Sequence, residues 1–95
     1  MPSYEWDERK NESNRHKHGI GFELAVEVFD DPMARSAHDR VVDGEERWQT
    51  IGMVRGVMLL LVAHTVREED GAELVRLISA RKATRGEWRV YEEGE

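Results

Sequence analysis

At 95 residues, the chain has room for one domain spanning 1–95 with a single modest core. It is 36% charged with a formal net charge of −6, which argues against a generic phosphate-binding protein. It holds no cysteine, which excludes disulfides and thiolate metal sites and fits a reducing cytoplasm.

Met1–Trp6 lacks a basic region followed by an apolar segment, so no secretory signal is expected. Tyr4-Glu5-Trp6 reads as a short edge strand with Tyr4 and Trp6 on one face. Asp7 is a natural N-cap, acids open the following segment, Arg15, Lys17 and His18 close it, and Gly19 suits a left-handed C′ position. That predicts a helix over Glu8–His18 with almost no apolar face, so its neighbours hold it or it meets a partner. Phe22, Ala25, Val26 and Phe29 recur at i, i+3, i+4 and i+7, predicting an amphipathic helix over Phe22–Phe29 stopped by Asp30-Asp31-Pro32.

An edge strand over Met33–His38 is expected next, then a turn at Asp43-Gly44 and a strand over Glu46–Val54. Arg55-Gly56 turns the chain into Val57–Arg67, the one long apolar run. It is far too short to span a membrane, and its lack of alternation suits a strand covered on both faces. Glu68–Ala72 turns back into a strand over Glu73–Ser79, and Ser79 is a plausible N-cap for a last helix reaching about Tyr91. Gly86 weakens that helix by roughly 1 kcal/mol relative to alanine.

With a two-residue loop at Arg55-Gly56, Arg47 faces His64; with a symmetric five-residue second turn, His64 faces Arg76. Arg47, His64 and Arg76 would then form a row across one face. A bulge at Gly56 would bring Glu46 opposite His64 instead. Strand parity sets Arg67 on the face opposite His64.

The charges are unevenly spread. Between Arg76 and Arg89 stand five cations, Arg76, Arg81, Lys82, Arg85 and Arg89, against Glu87 alone. His16 and His18 form an H-x-H pair without a further soft ligand nearby, better explained by the helix dipole than by a metal. His64 is either a hydrogen-bonded core histidine, the commoner case, or a general base whose charged form neighbouring guanidiniums disfavour. Arginines on an acidic protein are by default surface ion-pair partners. They acquire a chemical use if the substrate is a phosphodiester, since their planar forks stabilise charge developing on phosphate. The scattered glycines form neither a P-loop nor a dinucleotide fingerprint. The charge balance and the lack of a groove-reading motif disfavour a DNA-binding protein acting alone.

Trp6-Asp7-x-x-Lys10, Asn14-x-x-Lys17-His18-Gly19-x-x-Phe22-x-x-Ala25 and Phe29-Asp30 resemble the opening pattern of the BrnT family of type II toxins. Glu46-Arg47, Gly52, Thr65-x-Arg67 and Ile78-Ser79-Ala80-Arg81-Lys82-Ala83, ending at Glu87 and Tyr91, resemble its second half. The resemblance implies an α+β, RelE-like fold: a small twisted antiparallel sheet with two N-terminal helices and one C-terminal helix. It implies a cytoplasmic, metal-independent ribonuclease without cofactors that halts translation. It also implies a BrnA-like ribbon-helix-helix antitoxin, joined to the toxin in a heterotetramer that contacts operator DNA only through the antitoxin. Arg67 and Arg81 are the foremost catalytic candidates; Glu46 and Arg47 follow, with His64 added from its local chemistry. Lys17, Arg76, Lys82 and Arg85 are candidate RNA contacts. The alternative is a non-enzymatic, antitoxin-binding corepressor.

Overall fold

The computed structural model describes residues 2–94. The elements run β1 (Ser3–Trp6), α1 (Glu8–His18), α2 (Phe22–Ala25), a 3-10 segment (Val26–Asp30), β2 (Arg35–Val42), β3 (Glu45–Val54), β4 (Met58–Glu69), β5 (Ala72–Lys82) and α3 (Arg85–Glu93). The strands form one five-stranded sheet in the order β1-β5-β4-β3-β2. β2 to β5 are an antiparallel meander, but β1 pairs with β5 in parallel, so the sheet is mixed rather than wholly antiparallel. The chain enters at one edge, and α1 carries it across before the meander begins.

One face of the sheet holds the core. Val54, Leu60, Val62, Val75, Leu77 and Ala80 pack there against Ile20, Phe22, Ala25 and Val28. The expected second helix is instead one turn of α-helix continued as 3-10, and its fully buried residues Phe22, Ala25 and Val28 recur every third position, as a 3-10 path requires. Gly52 permits this close approach, because a Cβ there would lie 2.8 Å from the Val28 carbonyl oxygen.

α1 has the expected bounds and caps: the Asp7 side chain accepts from the Arg9 N–H, and Gly19 adopts φ 74°. Two buried asparagines replace the missing apolar face. Asn11 Oδ1 accepts from the Phe22 N–H at 2.8 Å, and its Nδ2 donates to Glu8 and Glu23. Asn14 Nδ2 donates to the carbonyls of Ile20 (2.9 Å) and Ala80 (2.7 Å), and Oδ1 accepts from the Ala80 N–H at 3.1 Å. β1 stops pairing at Leu77, so Asn14 supplies the neighbour that the next stretch of β5 lacks.

The strands are longer than the sequence suggests, and both central registers differ from the expected ones. Three residues, not two, separate β3 from β4, with Val57 left outside the ladder and 73% exposed, so Trp48 faces His64. The second turn is the two-residue Asp70-Gly71 loop, with φ 53° and 80°, and His64 faces Leu77. A bulge at Ile78 lies between that pair and Ala63–Ser79. β5 runs on to Lys82, so Ser79 is a strand residue and not a helix cap. Thr84 caps α3 in a reciprocal capping box with Glu87.

Tyr91 anchors α3 by donating to Asp31 Oδ2 at 2.6 Å, a bond that pushes the phenol pKa up to about 12. Asp31 also accepts from the backbone N–H groups of Met33 and Met53. Among the described residues no helix is long and apolar enough to cross a membrane.

Candidate active site

The corrected registers dissolve the expected Arg47–His64–Arg76 row and create a different one. His64 points with Leu60 and Val62 into the core face, between Trp48 and Leu77. The other, outer face of β4 carries Leu61, Ala63, Thr65 and Arg67 by alternation. Thr65 faces Arg76 on β5, and Arg76 faces Glu5 on β1. On β3, Arg47 immediately precedes Trp48, the first residue paired with β4, and so falls beside Thr65. Arg47, Arg67 and Arg76 thus converge around the buried Thr65. Arg81 pairs with Leu61 on the same face, four residues of strand from Thr65, roughly 13 Å away.

Each guanidinium has a carboxylate beside it. Arg76 Nη1 is 3.1 Å from Glu5 Oε2; Arg67 Nη2 is 3.1 Å from Glu69 Oε2 and 4.0 Å from Glu5 Oε2. Arg81 forms a two-pronged pair with Glu87, both bonds 2.9 Å. Arg47 is the loosest, with Nε 3.9 Å from Glu45 and no hydrogen-bond partner although that nitrogen is buried. The face therefore presents planar donors whose charge is balanced locally, so an incoming phosphate competes with a carboxylate for each of them.

His64 occupies a different environment. It is 4% exposed, Nε2 lies 2.7 Å from Thr50 Oγ1, and Thr50 Oγ1 lies 2.7 Å from Ser36 Oγ. Phe29 meets the ring edge-on, with centroids 5.1 Å apart. Burial, not neighbouring arginine, pushes its pKa down, and Nδ1 has no partner. Glu46 shares that side of β3 and lies 3.7 Å from His38 Nε2, away from the arginines. Lys17 is on α1, Lys82 ends β5 and Arg85 opens α3, all three exposed. The structure thus gathers Arg47, Arg67, Arg76 and Arg81 on one face and separates His64 and Glu46 from them.

Sequence reasoning missed Glu5, Thr50 and Asn14 as partners. The parallel pairing of β1 left no local signal for Glu5. The sign for Asn14 was a helix without an apolar stripe.

The Arg81–Glu87 pair sets a pH response. Arg81 and the capping contacts at Thr84 hold the Glu87 carboxyl at about 2, well below its usual range. Because the native pKa is depressed, the stabilisation is present above about pH 4.5 and is lost as pH falls towards 2. With Arg81 more than a third exposed, solvent screening reduces the contribution to about 1–2 kcal/mol. The expected result is a smaller acid loss of thermal stability in Glu87→Gln than in the native chain, measured by circular dichroism between pH 6 and 3; equal losses would count against the pair.

Comparison with known proteins accords with this architecture. A family model described as the ribonuclease toxin BrnT of type II toxin-antitoxin systems matches residues 6–87. The 1.1 Å crystal structure of the Brucella abortus ribonuclease toxin BrnT is similar, with 28% identity and a TM-score of 0.61, covering 90% of this chain and 99% of that one. No curated protein matches. The chain is thus of the ribonuclease-toxin class, whose type II systems pair a toxin with an antitoxin. It belongs to the BrnT family.

Proposed function

We propose that this protein is a metal-independent endoribonuclease that acts in the cytoplasm, inhibits translation by cleaving RNA, and uses the arginine face of its sheet to do so. The observation that carries the proposal is the convergence of Arg47, Arg67 and Arg76 around Thr65, with Arg81 on the same face. Attack of an RNA 2′-hydroxyl on the adjacent phosphorus expels the 5′-oxygen of the next nucleotide and leaves a 2′,3′-cyclic phosphate. Such a reaction needs a proton acceptor, a proton donor and cations for the charge developing on the phosphoryl oxygens. Arg67 and Arg81 are the proposed phosphate contacts, with Arg47 and Arg76 beside them. The proposed base is a carboxylate of that face, Glu5 or Glu69, rather than His64, whose burial keeps it from substrate. Lys82 and Arg85 extend the surface offered to RNA.

The fold relationship proposed is to RelE-like ribonucleases. The antitoxin proposed is a BrnA-like ribbon-helix-helix protein forming a heterotetramer with the toxin and supplying all contact with operator DNA. The purified toxin, incubated with single-stranded RNA and a chelator, is expected to release fragments ending in 2′,3′-cyclic phosphate. Intact RNA under these conditions overturns the proposal. The local neutralisation of the arginines favours one second reading, a non-enzymatic corepressor. It requires that the protein leave RNA intact yet raise the operator affinity of its partner.

A further inference from the structure

α1 and the bulged part of β5 meet in a groove of about 250 Å³, lined by Lys10, Ser13, Lys17, His18, Ile78 and Ser79 over Asn14. No carboxylate lines it, on a protein carrying a net charge of −6. Among the described residues neither Lys10, Lys17 nor His18 forms an ion pair, whereas Arg47, Arg67, Arg76 and Arg81 all do. We infer that this groove is a phosphate-binding subsite that receives the backbone of single-stranded RNA before it reaches the arginine face. The inference rests on the ribonuclease proposal for its ligand and extends it to a place that the catalytic arginines do not occupy.

Two physical points support the assignment and a weaker one opposes it. Phosphate reaching an arginine of the outer face must displace a carboxylate, an exchange of like for like. Phosphate reaching Lys10 or Lys17 displaces only water and counterions, so counterion release drives binding there. The carbonyl end of the α1 dipole opposes an anion, but it amounts to about half an elementary charge against two full lysine charges. Position is the third point. Asn14, at the floor, bonds both the N–H and the carbonyl of Ala80, which fixes α1 against the strand between Ser79 and Arg81. Ser79 faces Ala63 and Arg81 faces Leu61, so both side chains belong to the outer face, two residues or roughly 7 Å apart. A strand of RNA leaving the groove at Ser79 therefore arrives at Arg81.

The probe is a fluorescein-labelled, 2′-O-methylated single-stranded oligoribonucleotide, which lacks the attacking hydroxyl and reports binding alone. By fluorescence anisotropy, Lys10→Ala/Lys17→Ala is expected to raise Kd roughly tenfold or more. It should also flatten the dependence of log K on log salt by about 1.4, at roughly 0.7 for each phosphate that the variant no longer neutralises. The control Arg55→Ala/Arg89→Ala changes net charge equally at residues of other elements that do not line the groove, and should bind like the native chain. Equal weakening by both doubles, or no binding by the native protein, overturns the subsite. Groove-dependent binding by a protein that cannot cut unmethylated RNA overturns the ribonuclease proposal and leaves the subsite standing. Cleavage with KM and Kd untouched by Lys10→Ala/Lys17→Ala does the reverse.

Discussion

Replacing Asn14 with alanine is expected to destabilise the fold by about 3 kcal/mol or more, from the loss of three buried hydrogen bonds. The change strands the N–H and carbonyl of Ala80, itself 0% exposed, on a strand edge that β1 does not reach, and also frees the Ile20 carbonyl. An unpaired buried backbone group costs about 1–3 kcal/mol, and water entry recovers part of the sum. Against a total of about 5–15 kcal/mol for a small domain, the loss is large, and the melting temperature should fall by roughly 15 °C. Asn14→Asp separates hydrogen bonding from simple packing. It keeps the acceptor for the Ala80 N–H but turns a carboxylate towards two carbonyls, so it should destabilise at least as much at pH 7 and regain part of the loss on protonation. Thermal and urea unfolding of both variants provide the measurement. A cost below about 1 kcal/mol for Asn14→Ala would show that α1 is held by something other than this amide.

Arg67→Ala and Arg81→Ala should each reduce kcat/KM for RNA cleavage by about 10²–10³, the usual cost of removing one donor aimed at developing charge. In cells, expression without the antitoxin should arrest growth, and either substitution should relieve the arrest. Stability should barely change for Arg67→Ala, because its partner Glu69 is as exposed as the arginine itself. Arg81→Ala should cost about 1 kcal/mol by removing the pair with Glu87. Arg81→Lys retains charge without the two-pronged fork, so it should recover much of that stability but little of the activity. The test therefore pairs cleavage rates with melting curves for every variant. If both alanine variants remain folded and fully toxic, the chemistry lies elsewhere on the molecule.

Local chemistry was readable wherever one residue decides a backbone conformation. Asp7 and Gly19 bound α1 as expected, and Asp43-Gly44, Arg55-Gly56 and Asp70-Gly71 all turn through positive φ. The Thr84-x-x-Glu87 capping box was equally present in the residues, but Ser79 drew the helix start five residues too early. Ser79 stays in β5 because β4 supplies ladder partners as far as Leu60–Lys82 and Asn14 covers the other side of Ala80. Loop length was the weaker inference. Adding Val57 to one turn and shortening the other moved each register by one residue, enough to replace His64 with Thr65 in the row beside Arg76.

By itself the sequence determined the succession of elements, the opposite facing of His64 and Arg67, and the residues through which family membership is legible. These depend on short-range rules: caps, turn residues and the two-residue period of a strand. The tertiary structure alone decided that β1 lies parallel to β5 and brings Glu5 to Arg76, that Asn14 fastens a polar helix to a strand edge, and that four arginines share one face. Each of those outcomes joins residues far apart in the chain through hydrogen-bond registers, and a single residue added to or removed from a loop resets a register without leaving a mark in local composition.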